Sequence, residues 1–371
     1  MRAILSRQYG VDRILYYEPG SPFPQALGVD NIGEQHIRLI TGHHPFGIHQ
    51  LIRMPCRSFT IIRDPIKRLL SDYYYAYSYS DHRYRADIVG GALTAEKFIT
   101  NPRYGGRNAE SEMLAGDSIS IRGPARAALD TAEHCFVAVG VTERFDESVL
   151  LIAKTLGWHP PIFVKKNVTR LDDKLDAERR RVETAARDKY GHLFATEYEV
   201  YEGVDALLSR RIAAEGEAFA RALALFRGMQ ADIAVESAQE IYEPYEFAKV
   251  DRLPPFAARF IGSQPYRELD AYLQSDSLVV PQIRNYVGAV DSMEGDTIDG
   301  WASDLWRDEP VTVTVYRRGE PLGSVRCGNP RDDVLHAGYG RSDVGFRVQL
   351  REPITDPREY AVCFDDTSLL L

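Results

Sequence analysis

Cysteine is scarce in this sequence, and its spacing argues against the usual cysteine-based sites. The four cysteines stand far apart in a chain of 371 residues, and none forms a Cys-x-x-Cys pair. Structural zinc sites and dithiol redox centres depend on such close pairs. We therefore expect buried free thiols, a reducing compartment and no metal site.

Long apolar runs are also missing. No stretch reaches the roughly 18 consecutive apolar residues that predict a membrane-spanning helix. No secretory signal is recognisable ahead of the first predicted helix. These features predict a cytoplasmic protein without an integral membrane segment.

Positive charge is in deficit, with a formal net charge of -9 at pH 7. A general nucleic-acid binder would normally be basic, so we expect no nucleic-acid partner. Any polyanionic ligand would need a local basic patch. Lysine is much rarer than arginine, and none precedes Lys67. A kinase of the P-loop type would need a Gly-x-x-x-x-Gly-Lys-Ser/Thr loop, which is not readable in the chain.

A strand, a turn and a helix follow one another near residue 60. The β-branched run Phe59–Ile62 is typical of a buried parallel strand. Asp64 and Pro65 favour a helix start, as N-cap and first helical residue. Arg63 then stands at the carboxyl end of the strand, where open α/β sheets bind ligands, and Ser71 lies two to three turns into the helix.

A guanidinium group and a hydroxyl group at that position suit a dianionic phosphate, because charge-assisted hydrogen bonds are strong. The alternative is that Arg63 pairs with a nearby carboxylate such as Asp64 and that Ser71 is a solvated helix residue. The pattern alone leaves both interpretations open.

Three histidines, His43, His44 and His49, follow a second predicted strand at residues 36–42. Zinc binding is disfavoured because no regular metal spacing is present and Pro45 breaks the helical register. A neutral imidazole that accepts a proton from a hydroxyl group fits better. The alternative is that one histidine caps the next helix and the others are exposed.

The remaining patterns predict an α/β fold with a parallel sheet flanked by helices, followed by an all-β sandwich. Residues 235–285 mix prolines and aromatic residues without a clear period and resemble a linker. From Tyr286 onward, period-two alternation between glycine- and aspartate-bearing turns predicts short antiparallel strands. We therefore expect domains at 1–234 and 286–371.

The string Arg63-Asp-Pro-x-x-Arg-x-x-Ser71-x-Tyr-x-Tyr resembles the 3′-phosphate-binding motif of sulfotransferases that use 3′-phosphoadenosine 5′-phosphosulfate (PAPS). Three more blocks resemble the polysaccharide branch of that family, sulfotransferase family 2, which is related to heparan and chondroitin sulfotransferases. These blocks are Gly42-His-His-Pro-Phe-Gly-Ile-His49, Asn108-Ala-Glu-Ser-Glu-Met-Leu-Ala-Gly116 and Val139-Gly-Val-Thr-Glu-Arg-Phe-Asp-Glu-Ser148. The resemblance covers residues 1 to 230.

The resemblance implies a P-loop-like sheet, PAPS as donor, release of adenosine 3′,5′-bisphosphate (PAP), and a sugar or polysaccharide hydroxyl group as acceptor, with no metal. Arg63 and Ser71 would hold the 3′-phosphate, and His43 would be the general base. Lys166 and Arg170 match a late loop that closes over the nucleotide; a solvated charge run is the alternative. The predicted acceptor contacts are Arg103, Arg107 and Asn108, although an exposed polar loop explains the arginines as well.

One family element is not readable in the sequence: a first strand and a Pro-Lys-x-Gly-Thr/Ser loop around the 5′-phosphosulfate. Either the true chain starts further upstream, or the donor loop is lost and the protein is a catalytically inactive nucleotide- or glycan-binding protein. For the chain as written we expect low solubility or stability and no PAPS-dependent transfer.

The C-terminal pattern Gly300-Trp-Ala-x-Asp304 resembles an uncharacterised module appended to bacterial glycan-handling enzymes. Trp301 and Trp306 are candidates for stacking on sugar rings. Large aromatic residues in a small sandwich are more often core residues, so both roles remain open. We expect residues 286–371 to fold on their own.

Overall fold

The computed structural model describes residues 1–17, 36–105, 108–164, 173–237, 255–277, 283–365 and 367–371. The fold is mixed α/β, with helices and small two-stranded sheets followed by a C-terminal antiparallel region. This confirms the coarse fold class predicted from the sequence. No helix in the described ranges combines the length and apolar character needed to cross a membrane.

The strands are β1 (Ile14–Tyr17), β2 (Leu39–Gly42), β3 (Ser58–Ile62), β4 (Phe136–Val141), β5 (Tyr286–Glu294), β6 (Thr297–Asp304), β7 (Thr312–Arg317), β8 (Glu320–Arg326), β9 (Asn329–Pro330), β10 (Asp343–Gln349) and β11 (Tyr360–Phe364). The helices are α1 (Arg2–Tyr9), α2 (Ile48–Ile52), α3 (Pro65–Ser78), α4 (Arg85–Val89), α5 (Ala95–Thr100), α6 (Pro102–Gly105), α7 (Ala109–Ala115), α8 (Pro124–His134), α9 (Phe145–Leu156), α10 (Asp173–Tyr190), α11 (Ala195–Ser237), α12 (Pro255–Ala258), α13 (Gln264–Gln274) and α14 (Asp332–Val334).

Contacts between residues divide the chain into two compact units. Unit 1 comprises Met1–Val11, Thr60–Ser111 and Ala138–Leu278, and unit 2 comprises Asp12–Phe59, Glu112–Val137 and Val279–Leu371. The division differs from the boundaries predicted at residues 234 and 286. Residues 12–59 and 112–137 cluster with the C-terminal strands, although they are far from them in the chain.

In unit 1, helix α3 follows β3 with the predicted start signals. The Asp64 carboxylate accepts hydrogen bonds from the backbone N–H groups of Ile66 (3.1 Å) and Lys67 (3.0 Å), and Pro65 occupies the first turn. The apolar face of α3 packs into a core with residues of α5 and the segment before α11. The largest members of this core are Ile66, Leu69, Leu70, Tyr74, Phe98, Ile99 and Phe194.

Strands β3 and β4 form a two-stranded sheet. Their carboxyl ends lie side by side: the Thr142 hydroxyl group, directly after β4, donates a hydrogen bond to the carbonyl oxygen of Ile62, the last residue of β3, at 3.0 Å. Every residue of β4 is buried, which explains its continuous apolar sequence. The predicted strand Phe59–Ile62 falls within the observed β3.

In unit 2, β1 and β2 form a parallel pair in the register Ile14↔Leu39 to Tyr17↔Gly42. Gly42 is required at the end of β2, because its φ is +155° and a Cβ atom there would lie 1.6 Å from the carbonyl oxygen of Tyr17. Within the described residues, this pair and the β3–β4 pair are separate sheets, whereas one continuous parallel sheet was expected.

The C-terminal strands of unit 2 form two sheets, in the orders β5-β6-β10-β9 and β11-β7-β8, with antiparallel pairing throughout. The rings of Tyr286 on β5 and Phe364 on β11 stack with centroids 4.4 Å apart, which joins the two sheets. The predicted antiparallel region is therefore confirmed.

Candidate functional site

The candidate site lies in unit 1, where β3 and β4 end side by side. Arg63 follows β3 directly, and Thr142 follows β4. The carboxyl edge of such strands is the usual ligand-binding edge of an open α/β sheet, because the loops after the strands bring polar groups together there. The sheet thus places Arg63 where the sequence predicted.

The Arg63 side chain has a hydrogen-bond donor without an acceptor among the described residues. Its Nε atom is buried, and in the described part of the chain it has no hydrogen-bond partner. Burying a polar group without a partner costs about 1–3 kcal/mol, so an unsatisfied guanidinium nitrogen calls for an explanation such as a missing ligand. The predicted alternative, pairing with Asp64, is not observed, since Asp64 caps α3 instead.

Ser71 lies on α3, partly buried, six residues beyond Pro65. Helix geometry places it on the same face as Lys67 and Tyr75, four residues away on either side. This is the exposed side of the helix, since the neighbours that pack into the core lie on the opposite face. Ser71 is therefore a half-accessible hydroxyl group on the helix that begins at the candidate site.

Carboxylates occupy the backbone donors of the turn between β3 and α3. The N–H group of Arg63 donates to Glu110 Oε1 at 2.9 Å, and the N–H group of Asp64 lies 3.4 Å from both carboxylate oxygens of Glu143. Because Asp64 also accepts hydrogen bonds from the first N–H groups of α3, few backbone N–H groups here are available to bind an anion. An anionic ligand would be held by side chains.

Glu197, on the first turn of α11, holds the start of α7 against this turn. It is 2% exposed and accepts hydrogen bonds from the backbone N–H group of Ser111 (2.9 Å) and from its hydroxyl group (2.5 Å). The N–H group of Glu110 lies 3.4 Å from its other oxygen. Glu197 thus acts as a distant cap for α7 and positions Glu110 beside Arg63.

The pKa of Glu110 is raised to about 8, chiefly by burial and in smaller part by the charges of Glu197 and Glu143, while Arg68 and the N–H group of Arg63 oppose the shift. At neutral pH the Glu110 side chain is therefore largely a neutral carboxylic acid. Such a group donates a hydrogen bond as well as accepting one.

Two tyrosines of α11 complete the cluster. The Tyr198 hydroxyl group lies 3.5 Å from Asp64 Oδ1, and the Tyr201 hydroxyl group donates to Glu143 Oε2 at 3.2 Å. Burial, followed by the charge of the carboxylate each one contacts, raises the pKa of both phenols.

Among the glutamates, Glu143 stands inside the block Val139–Ser148 but received no role from the sequence. Glu110 and Glu197 were not recognised at all. Glu110 stands inside the block Asn108–Gly116, which the sequence already linked to the site. Its position in that block could have identified it as a site residue. Glu197 offers no such local signal, because it reaches α7 from 86 residues away.

The histidines lie in unit 2. His43 directly follows β2 and is exposed. His44 contacts the ring of Tyr17, with centroids 5.6 Å apart, and its Nδ1 lies 3.1 Å from the carbonyl oxygen of Pro45. His49 is 1% exposed, and its Nε2 bonds the carbonyl oxygen of Tyr286 at 3.2 Å, so it is a core histidine.

Burial lowers the pKa of His49, although its bond to the carbonyl group of Tyr286 opposes the shift. Burial therefore favours the neutral form of His49. The exposed His43 remains the candidate for a general base among the three histidines.

The other predicted ligands are only partly described. Arg103 on α6 and Asn108 before α7 are exposed. Arg107, Lys166 and Arg170 lie outside the described residues. Asn108 is two positions from Glu110, so the structure brings it near the Arg63 turn through the chain.

Each tryptophan proposed for sugar stacking has an aromatic or cationic neighbour within unit 2. The rings of Trp301 and Tyr339 lie 4.8 Å apart at 52°, and the Arg57 guanidinium carbon lies 5.3 Å from the Trp306 ring centroid. Both tryptophans are partly buried. The structure leaves the choice between core residue and sugar platform open.

In the described ranges, no group of three or more His, Cys, Asp and Glu side chains is arranged to bind a metal ion. Comparison with known proteins adds no assignment: no protein-family model, no curated protein and no solved structure matches this chain.

Proposed function

We propose that unit 1 binds the 3′-phosphate of PAPS through Arg63 and Ser71, and that the protein is a sulfotransferase acting on a hydroxyl group of a sugar or polysaccharide. The observation that carries the proposal is the unsatisfied, buried Nε of Arg63 at the carboxyl edge of β3 and β4. A phosphate oxygen there would satisfy it with a charge-assisted hydrogen bond.

The proposed reaction transfers one sulfuryl group. The acceptor hydroxyl oxygen forms a bond to sulfur while the bond from sulfur to the 5′-phosphate oxygen of PAPS breaks. The electron pair of the broken bond leaves with PAP, and the hydroxyl proton passes to a general base. By resemblance His43 is that base, and its exposure keeps it accessible to an acceptor. Arg63 and Ser71 bind and orient the nucleotide.

The binding half is tested by isothermal titration calorimetry with PAP. The Arg63→Ala substitution removes one charge-assisted contact, and this loss costs about 1.5–3 kcal/mol, or about 10- to 150-fold in affinity. Arg63→Lys keeps the charge but loses the planar fork, and we expect it to recover only part of that loss. Arg221→Ala removes the same charge at an exposed position and is the matched control.

Absence of binding by the wild type would refute the proposal, and so would equal affinity in the wild type and Arg63→Ala. His43→Ala separates binding from chemistry, because we expect it to bind PAP normally and to lose transfer. Transfer is measured with radiolabelled PAPS and a panel of sugar acceptors on a protein extended upstream to include the 5′-phosphosulfate loop, since the chain as written is expected not to transfer.

The alternative, a catalytically inactive nucleotide-binding protein, has one observation in its favour. Carboxylates already accept hydrogen bonds from the backbone N–H groups of Arg63 and Asp64. These N–H groups are therefore not available to bind PAPS. PAP binding without transfer to any acceptor would support this alternative.

A further inference from the structure

A phosphate dianion at Arg63 would be surrounded by carboxyl groups. Glu110 bonds the Arg63 backbone, Glu143 lies beside the next residue, and Asp64 caps the following helix. Four ionised carboxylates, counting Glu197, would repel a dianion strongly in a partly buried site. The repulsion would be smaller if one of these carboxyl groups were neutral.

Glu110 is the member of the cluster whose geometry fits the neutral form. Its Oε1 already accepts a hydrogen bond from the Arg63 N–H group at 2.9 Å. A proton on this carboxyl group is therefore carried by Oε2, which makes Oε2 a hydrogen-bond donor on a side chain that is bonded to the backbone of Arg63. Glu143 lacks this arrangement, because both of its oxygens face the Asp64 N–H group and Tyr201.

The surroundings of Glu110 also favour the neutral form. Burial is the largest cause and raises its pKa to about 8. The charged and titratable groups that face the cluster come from several elements. They are Arg63, Asp64, Lys67 and Arg68 on β3 and α3, Glu143 after β4, Glu183 on α10, and Glu197, Tyr198 and Tyr201 on α11.

We propose that Glu110 is a neutral carboxylic acid in this site and donates a hydrogen bond from Oε2 to a phosphate dianion held by Arg63. This inference rests on the proposed function, because it names a second partner for the same phosphate. In this role Glu110 donates a hydrogen bond to the phosphate, whereas an ionised Glu110 would repel it.

The coupling has a definite sign. A bound dianion favours the neutral form of Glu110 further, and linkage is reciprocal, so a proton on Glu110 favours the dianion. Below about pH 8 the free site is already protonated, and affinity is independent of this group. Above about pH 8 binding must take up a proton, so affinity falls by up to tenfold per pH unit.

The experiment is calorimetry with PAP from about pH 6.5 to about pH 9.5, comparing the wild type with Glu110→Gln. Glutamine keeps an N–H donor and the side-chain shape but does not titrate. We expect the wild-type affinity to fall above about pH 8 and the variant affinity to stay level. Glu112→Gln, at an exposed glutamate on the same helix, is the control and should follow the wild type.

Proton uptake is the second readout. Near pH 8, the binding enthalpy of the wild type should differ between Tris and HEPES buffers, whose ionisation enthalpies differ, and that of Glu110→Gln should not. Identical pH profiles and identical buffer dependence in both proteins would overturn the inference while leaving the proposed function intact.

A ligand-free measurement separates the two ideas further. In ¹³C NMR of the unliganded protein with labelled glutamate, the resonance lost in Glu110→Gln identifies Glu110. Titration of that resonance near an ordinary glutamate pKa would overturn the inference even if PAP binds. Failure of both proteins to bind PAP at any pH would instead refute the proposed function, and with it this contact.

Discussion

At the residue scale, the partly buried carboxyl group of Glu110 affects both the candidate site and the stability of the fold. Glu110 is placed by Glu197, desolvated by its surroundings and bonded to the Arg63 backbone. Since its pKa is raised to about 8 in the folded protein, the native state holds a proton that the unfolded chain releases above the ordinary glutamate pKa.

This difference predicts a pH-dependent stability. The stabilising proton is fully present below the unfolded pKa of about 4.5, and its contribution is lost as pH rises toward about 8, by at most about 1.4 kcal/mol per pH unit. Urea unfolding of the wild type and Glu110→Gln over this range measures the effect. We expect the difference in unfolding free energy between them to change with pH in favour of the variant. A constant difference would show that Glu110 titrates normally.

At the element scale, α3 links the candidate site to the core of unit 1. Asp64 caps the helix with two hydrogen bonds at its start, and the buried face beyond it packs against Phe98, Ile99 and Phe194. The position of Ser71 relative to Arg63 thus depends on where the helix begins. Because the cap is local, its removal should act on the helix start before it affects the core.

We expect Asp64→Ala to lower stability by about 1–2 kcal/mol, because the N–H groups of Ile66 and Lys67 lose their acceptor. Asp64→Asn keeps a capping oxygen and should cost less. Thermal unfolding monitored by circular dichroism compares the three proteins. Equal melting temperatures for Asp64→Ala and the wild type would show that the cap does not stabilise α3.

At the scale of the whole molecule, unit 2 is built from three separated segments. Asp130 on α8 is fully buried and accepts a hydrogen bond from the Ser368 N–H group at 2.9 Å. The Arg284 N–H group donates to the carbonyl oxygen of His134 at 2.8 Å, and the Cys56 N–H group donates to Asn285 Oδ1 at 2.5 Å. These contacts tie the C-terminal strands to the earlier segments.

We therefore expect that residues 286–371 do not fold on their own, in contrast to the prediction from sequence. An isolated fragment would leave Ser368 and its neighbours without the partners on α8, and we expect it to be much less stable than in the full chain. In the full chain, Asp130→Ala should lower stability by about 2–3 kcal/mol, because it leaves buried donors unsatisfied. Glu309→Ala, at an exposed position, is the control.

Circular dichroism and two-dimensional NMR of the fragment measure its folding. A dispersed spectrum and cooperative unfolding at the temperature seen for the full chain would contradict the prediction and restore residues 286–371 as an independent domain.

Local signals in the sequence determined the strand, cap and helix around Arg63 and the antiparallel strands after Tyr286. A buried strand, an N-cap and a period-two pattern each depend on neighbouring residues, so their bounds were predictable within a few positions. The same reasoning placed Arg63 at a strand end.

The tertiary structure alone decided the glutamate cluster and the composition of unit 2. Glu110 meets Arg63 across 47 residues and Glu197 across 87, and Ser368 meets Asp130 across 238. Such pairs leave no periodic pattern in the sequence, because the two partners are distant in the chain and meet only in the folded structure. The charge of Glu110 follows in turn from burial, a property that the packed structure creates and that residue type does not encode.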